Sequence, residues 1–249
     1  MTTAWKGWSV VLLLALGPTA WTVAGQAKPS TDEGVKARVE ARLFDEGLVG
    51  AHADVRQGTV TLSGAVASLW LKDEAARQTR KVRGVKDVVN ALTVRPRAGD
   101  AAMAREIADE LSASPSFTVF DDLSIRVANG VATLTGAVTT LDKSREFTKA
   151  ASRVPGVQQI VNQIETLPAL MSDDDLRYAI ANAIYSNPIF SMYASQRVGP
   201  VHIIVRRGHV TLIGVVGSEI ERRMAEMLAR EAFGVMGVAN ELRIEKEDG

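Results

Sequence analysis

The chain contains no cysteine, which excludes disulfides, thiolate metal sites, a cysteine nucleophile and lipid attachment through an N-terminal cysteine. It also lacks an excess of charge of either sign. The 29 basic and 29 acidic residues leave a formal net charge of zero, so the broad positive field expected of a nucleic-acid binder is missing. Aromatic residues make up only 5%, and of the tryptophans Trp5, Trp8 and Trp21 lie near the start, leaving Trp70 alone beyond them. Neither a phosphate loop ending in Gly-Lys-Ser/Thr nor a G-x-G-x-x-G fingerprint occurs. No nucleophile and base, paired carboxylates at a repeated position, or convergent metal ligands can be named. The expectation is a protein that is not an enzyme and holds no cofactor and no metal.

At the N-terminus a single cation, Lys6, precedes the apolar run Trp8–Leu16, which Gly17-Pro18 breaks before the small residues Ala24 and Ala27. The run falls short of the roughly 20 residues that cross a bilayer comfortably. Residues 1–27 therefore read as a secretory signal peptide cleaved after Ala24 or Ala27, with an uncleaved membrane anchor as the alternative. The expected location is the periplasm.

The remainder is a threefold repeat. Gly58-Thr-Val-Thr-Leu-Ser-Gly64 is rewritten as Gly130–Gly136 and again as Gly208–Gly214. Each copy is followed by a second signature opening at Gly84, Gly156 or Gly234, and the interval from the leading glycine (58 to 84, 130 to 156, 208 to 234) is 26 each time. Three units are expected, over residues 32–96, 101–167 and 172–246.

Within a unit, Val35, Val39 and Leu43 recur every four residues, as do Met103, Ile107 and Leu111, then Leu176, Ile180 and Ile184. This spacing sets one helical face toward a core. Thr31 or Asp32 can cap the first such helix, and Asp173–Asp175 suit a helix N-terminus better than a metal cluster. The loop that follows lengthens from copy to copy. A hairpin comes next, turning at Gly58, Gly130 or Gly208, and its second strand alternates apolar residues with threonine. Gly64, Gly136 and Gly214 end that strand in this reading, through positive φ or close approach of a helix. A second helix begins after Ser68, Leu141 or Ser218 and ends with Gly84, Gly156 or Gly234 at C′. Third strands span Val88–Val94, Ile160–Thr166 and Val238–Ile244. The fold class is α+β: three tandem α-β-β-α-β units, each a three-stranded mixed sheet with two helices on one face.

The turn glycine, the strand Gly58–Val66 and the closing Gly-Val-x-x-Val-x-Asn of the first copy, with their recurrence, resemble the BON domain, named for bacterial osmotically inducible and nodulation proteins. The second copy departs at Ala132, and the third carries Met236-Gly237 inside its closing motif. The resemblance implies an exported envelope protein linked to osmotic stress, with phospholipid binding or membrane association. Many family members are lipid-anchored; the missing cysteine points instead to a soluble periplasmic protein.

Two surfaces stand out. Arg77, Arg80, Lys81, Arg83 and Lys86 cluster at the end of the first unit's second helix, and each cation near an anionic leaflet contributes about 1 kcal/mol. Trp70 aligns with Asp142 and is expected to be exposed beside them as an interfacial anchor. These six form the candidate lipid-binding set, against the alternatives of a solvated helix face and ordinary packing. In the third unit's long loop, Tyr185, Pro188, Ile189, Phe190, Met192 and Tyr193 could dock a protein partner or fold back. If they dock, Asn187–Ser195 should be removable without loss of folding. Phe117 and Phe120 invite the same two readings. The partners expected are a phospholipid surface or, alternatively, envelope proteins and self-association in a scaffold.

Overall fold

The computed structural model describes residues 31–245; the expected signal peptide lies outside them. The first unit runs α1 (Asp32–Asp45), β1 (Ala51–Arg56), β2 (Thr59–Val66), α2 (Leu69–Arg80), β3 (Asp87–Asn90) and β4 (Thr93–Val94). The second runs α3 (Asp100–Ala113), β5 (Asp122–Ala128), β6 (Val131–Val138), α4 (Leu141–Arg153) and β7 (Gln159–Thr166). The third runs α5 (Met171–Tyr185), a 3₁₀ turn (Pro188–Tyr193), β8 (Val201–Arg206), β9 (His209–Val216), α6 (Glu219–Glu231) and β10 (Gly237–Ile244).

In every unit the hairpin's second strand lies at the centre of the sheet, antiparallel to the strand before it and parallel to the strand reached through a helix. Both helices lie on the face bearing Val60 and Leu62, Ala132 and Leu134, or Val210 and Leu212, all buried. Val35, Val39 and Leu43 close the first core from α1, as Met103, Ile107 and Leu111, then Leu176, Ile180 and Ile184, do in the others. The fold is the α+β repeat expected. Only the first unit's third strand differs, broken between β3 and β4, where Leu92 turns into the core.

The hairpins turn on two residues with positive φ: Gln57 and Gly58, Asn129 and Gly130, Arg207 and Gly208. This is the type I′ geometry that matches strand twist. Gln57 and Arg207 are side chains that disfavour that conformation, and a carboxylate holds each turn in place. Asp32 accepts from Gln57 N (2.7 Å) and Gly58 N (2.9 Å). Asp100 accepts from Asn129 N (2.8 Å) and Gly130 N (3.2 Å). Asp173, buried, accepts from Arg207 N (2.7 Å) and Gly208 N (2.9 Å). Helix capping at α1 therefore falls to Thr31, whose Oγ1 accepts from Gly34 N, and Asp32 serves the hairpin.

The asparagine of each closing signature is a latch between strand and helix. Asn90 donates to Lys72 O and accepts from Leu92 N. Asn162 donates to Ser144 Oγ and accepts from Ile164 N. Asn240 donates to Arg222 O and accepts from Leu242 N.

Several expectations are corrected. Gly64, Gly136 and Gly214 have positive φ, but they sit inside β2, β6 and β9, two residues before each strand ends. The group that a side chain there would strike is a backbone carbonyl of the neighbouring strand segment, of Gly50, Asp122 or Pro200, and not a helix. Gly84, Gly156 and Gly234 lie in the turns beyond the helix caps Lys81, Val154 and Ala232, later than C′. The cap of α4 is Thr140, with Leu141 already helical.

Candidate functional site

Ser68 caps α2 by accepting from Leu71 N, and the helix starts just past the end of the central strand β2, beside the second unit. Ala67 O accepts a hydrogen bond from Gly156 N at 3.0 Å, and Arg97, in the connection to α3, pairs with Glu106 at 2.6 Å. Successive units are thus joined by backbone as well as by side chains. The result is that Trp70 is half-buried, not exposed as expected. It lines an open groove of about 560 Å³ between α2 and α4, with Asp73 on its own helix and Arg145, Thr148 and Lys149 opposite. The Arg153 guanidinium lies over the indole, 5.6 Å from its centroid, within the range where the π-face attracts a cation.

The five predicted cations lie further along α2 and in the turns that follow it, Lys81 on the side that faces α1, and all are exposed. Arg77 pairs with Glu74. Lys81 reaches Gln78 Oε1, and Arg83 O accepts from Arg38 at 3.0 Å. Among the described residues no carboxylate pairs with Arg80, Lys81, Arg83 or Lys86. The structure therefore joins Trp70 to the basic stretch through α2 and adds Arg145, Lys149 and Arg153 from the second unit. Sequence reasoning missed those three because unit-to-unit packing leaves no periodic signal.

The aromatic cluster of the third unit is not an open loop. Tyr185 belongs to α5; its hydroxyl donates to Val201 O at 2.7 Å, and burial pushes its pKa up to about 12. Phe190 is fully buried in the core, which removes it from the candidate docking set. Tyr193 donates to Glu221 Oε2 at 2.6 Å, and burial raises its pKa, with Glu221 adding to the shift. Met192 and Pro188 stand exposed. The long insertion folds back, its 3₁₀ turn placing Phe190 in the third core with Ile189 and Tyr193 packed against it.

Phe117 and Phe120 also pack inward, at the boundary with the third unit. Phe120 meets Tyr178 edge-on at 5.1 Å, and Phe117 lies 5.5 Å from the His202 ring. His202 Nδ1 donates to Asp121 O at 2.6 Å, and burial lowers the histidine pKa. Asp121, fully buried, is paired with Lys143 at 2.7 Å and accepts from Thr118 N and Oγ1. Ile203 N donates to Val119 O at 2.7 Å. In the acidic run before α5, Asp173 is taken by the hairpin amides and Asp174 by Arg177.

With the repeat, its latches and the joined units in view, comparison with known proteins decides the family. The sequence profile of the BON domain matches residues 31–96, 99–168 and 172–246. The chain belongs to the BON domain family. It is similar to the osmotically-inducible protein Y of Escherichia coli (strain K12), 30% identical over 146 residues, covering 54% of this chain and 72% of that protein. Among solved structures it is similar to CdsD, a structural protein of the type III secretion system of Chlamydia trachomatis. That match is 16% identical over 85% of this chain and 92% of the other, with a TM-score of 0.25. The C-terminal domain of CdsD gives 15% identity over 84% and 96%, with a TM-score of 0.24. Among the described residues of this BON protein, no helix is long and apolar enough to cross a membrane.

Proposed function

We propose that this BON protein is a non-catalytic periplasmic protein of the osmotic-stress type that rests on anionic phospholipid through its first two units. The observation that carries the reading is that one helix, α2, sets Trp70 in its groove against α4 and leads into the exposed cations Arg80, Lys81, Arg83 and Lys86, none of which pairs with a carboxylate among the described residues. The groove receives a headgroup between the indole and the cations of α4, while the terminal turn of α2 faces the leaflet. Four cations near such a surface contribute about 1 kcal/mol each, enough in sum to hold a protein of zero net charge there. The similarity to osmotically-inducible protein Y supports the stress setting.

Co-sedimentation with vesicles tests this. Phosphatidylglycerol vesicles should retain the protein in low salt and release it as salt rises, and pure phosphatidylcholine should not retain it. Charge reversal at Arg80, Lys81 and Arg83 together should abolish retention. Equal behaviour of the two vesicle types would sink the reading.

A further inference from the structure

The contact between the first two units uses two features that recur in the third, where both are uncovered. One is the corner at the start of α2, carrying Ala67 and Trp70. The other is the face of α4 and the turn after it, where Val154, Gly156 and Val157 are buried. The site at which Gly156 would carry a side chain is filled by Arg97. Superposing the repeats on their strand glycines (64, 136, 214) sets Ile220 at the position of Trp70 and Met227 at that of Lys149. Ile220 is 67% and Met227 45% exposed. In the turn after α6, Phe233 is fully exposed, Met236 is 73% exposed and nothing lies within 4 Å of a side chain built at Gly234. The third unit thus presents both halves of a contact that the first two units make once.

We infer that this face binds a second copy of the chain, with α6 packed antiparallel against its counterpart. Met227 falls midway between Ile220 and Phe233, seven residues from one and six from the other. A two-fold axis at Met227 therefore brings each copy's Ile220 corner to the other's Phe233 turn. Such a contact is self-complementary and closes on itself. The charges along α6 favour a protein occupant over an anionic surface: Arg222 and Arg223 pair with Glu219, and Arg230 pairs with Glu226. No cation of these three is left without a carboxylate partner to meet lipid.

The absence of cysteine makes cross-linking a clean test in the full chain. Met227→Cys should give a disulfide-linked dimer under mild oxidation, and Phe44→Cys, an exposed apolar site on α1, should stay monomeric. Light scattering of the unmodified chain should show the mass doubling with concentration. Met227→Glu and Ile220→Glu should each raise the midpoint of that transition about tenfold or more, a loss of about 1.4 kcal/mol, with an unchanged thermal melt. Cross-linking no greater at 227 than at 44 would overturn the inference. So would a single-chain mass at every concentration, or a Met227→Cys dimer that forms only with phosphatidylglycerol vesicles present.

Discussion

Asp32, Asp100 and Asp173 each anchor a helix to a hairpin turn that two positive φ values would otherwise leave strained. Asp173 is buried, so Asp173→Ala should cost about 1–3 kcal/mol for the unpaired amides, read as a lower urea midpoint, and more than Asp32→Ala does. Valine at Gly136 would meet Asp122 O while holding φ near 116°, and is expected to unfold the second unit; an unchanged urea midpoint would contradict this. His202 sets a pH dependence. Burial lowers its pKa below the ordinary 6.5, so as pH falls through that value the unfolded chain takes up a proton before the folded one does. Stability is therefore full above pH 6.5 and declines below it. Asp122, raised by burial above its ordinary 3.8, acts with the opposite sign. Urea midpoints at neutral and mildly acidic pH should differ, and His202→Phe should reduce the difference. These residues were poorly legible in the sequence. Asp32 and Asp173 read as helix-terminal residues because their partners lie 25 or more residues away, and His202 lacks meaning until the units are joined.

The elements themselves were legible because their causes are local. Four-residue apolar spacing wrote α1, α3 and α5, and alternation between glycines wrote the hairpins. Where a long-range neighbour decides the outcome, two readings stayed open in the sequence. Gly64 approaches a strand segment, not a helix, and Phe190 sits in a core, not on a docking loop. Phe190→Ala should therefore cost about 3–5 kcal/mol, and deletion of Asn187–Ser195 should unfold the third unit, against the expectation from the loop alone. Circular dichroism melts would decide. Asp121→Ala should likewise be severe, about 3–5 kcal/mol, because it strands the half-buried Lys143 ammonium.

At the scale of the whole molecule, the repeat fixes three similar units and leaves open what each does. Their differences lie in how they join: α2 against α4 in one case, and β8, His202 and Phe120 in the other. The candidate site was half legible, since the cations of α2 lie in one run while Arg145, Lys149 and Arg153 come from the next unit. Trp70 is the only tryptophan from residue 28 onward, so its emission reports on the groove alone. The decisive measurement is that emission in a protein starting at Lys28, titrated with vesicles of phosphatidylglycerol or phosphatidylcholine. Anionic vesicles should shift the emission, with the effect lost when Arg80, Lys81 and Arg83 are reversed in charge; an emission indifferent to both lipids would contradict the account.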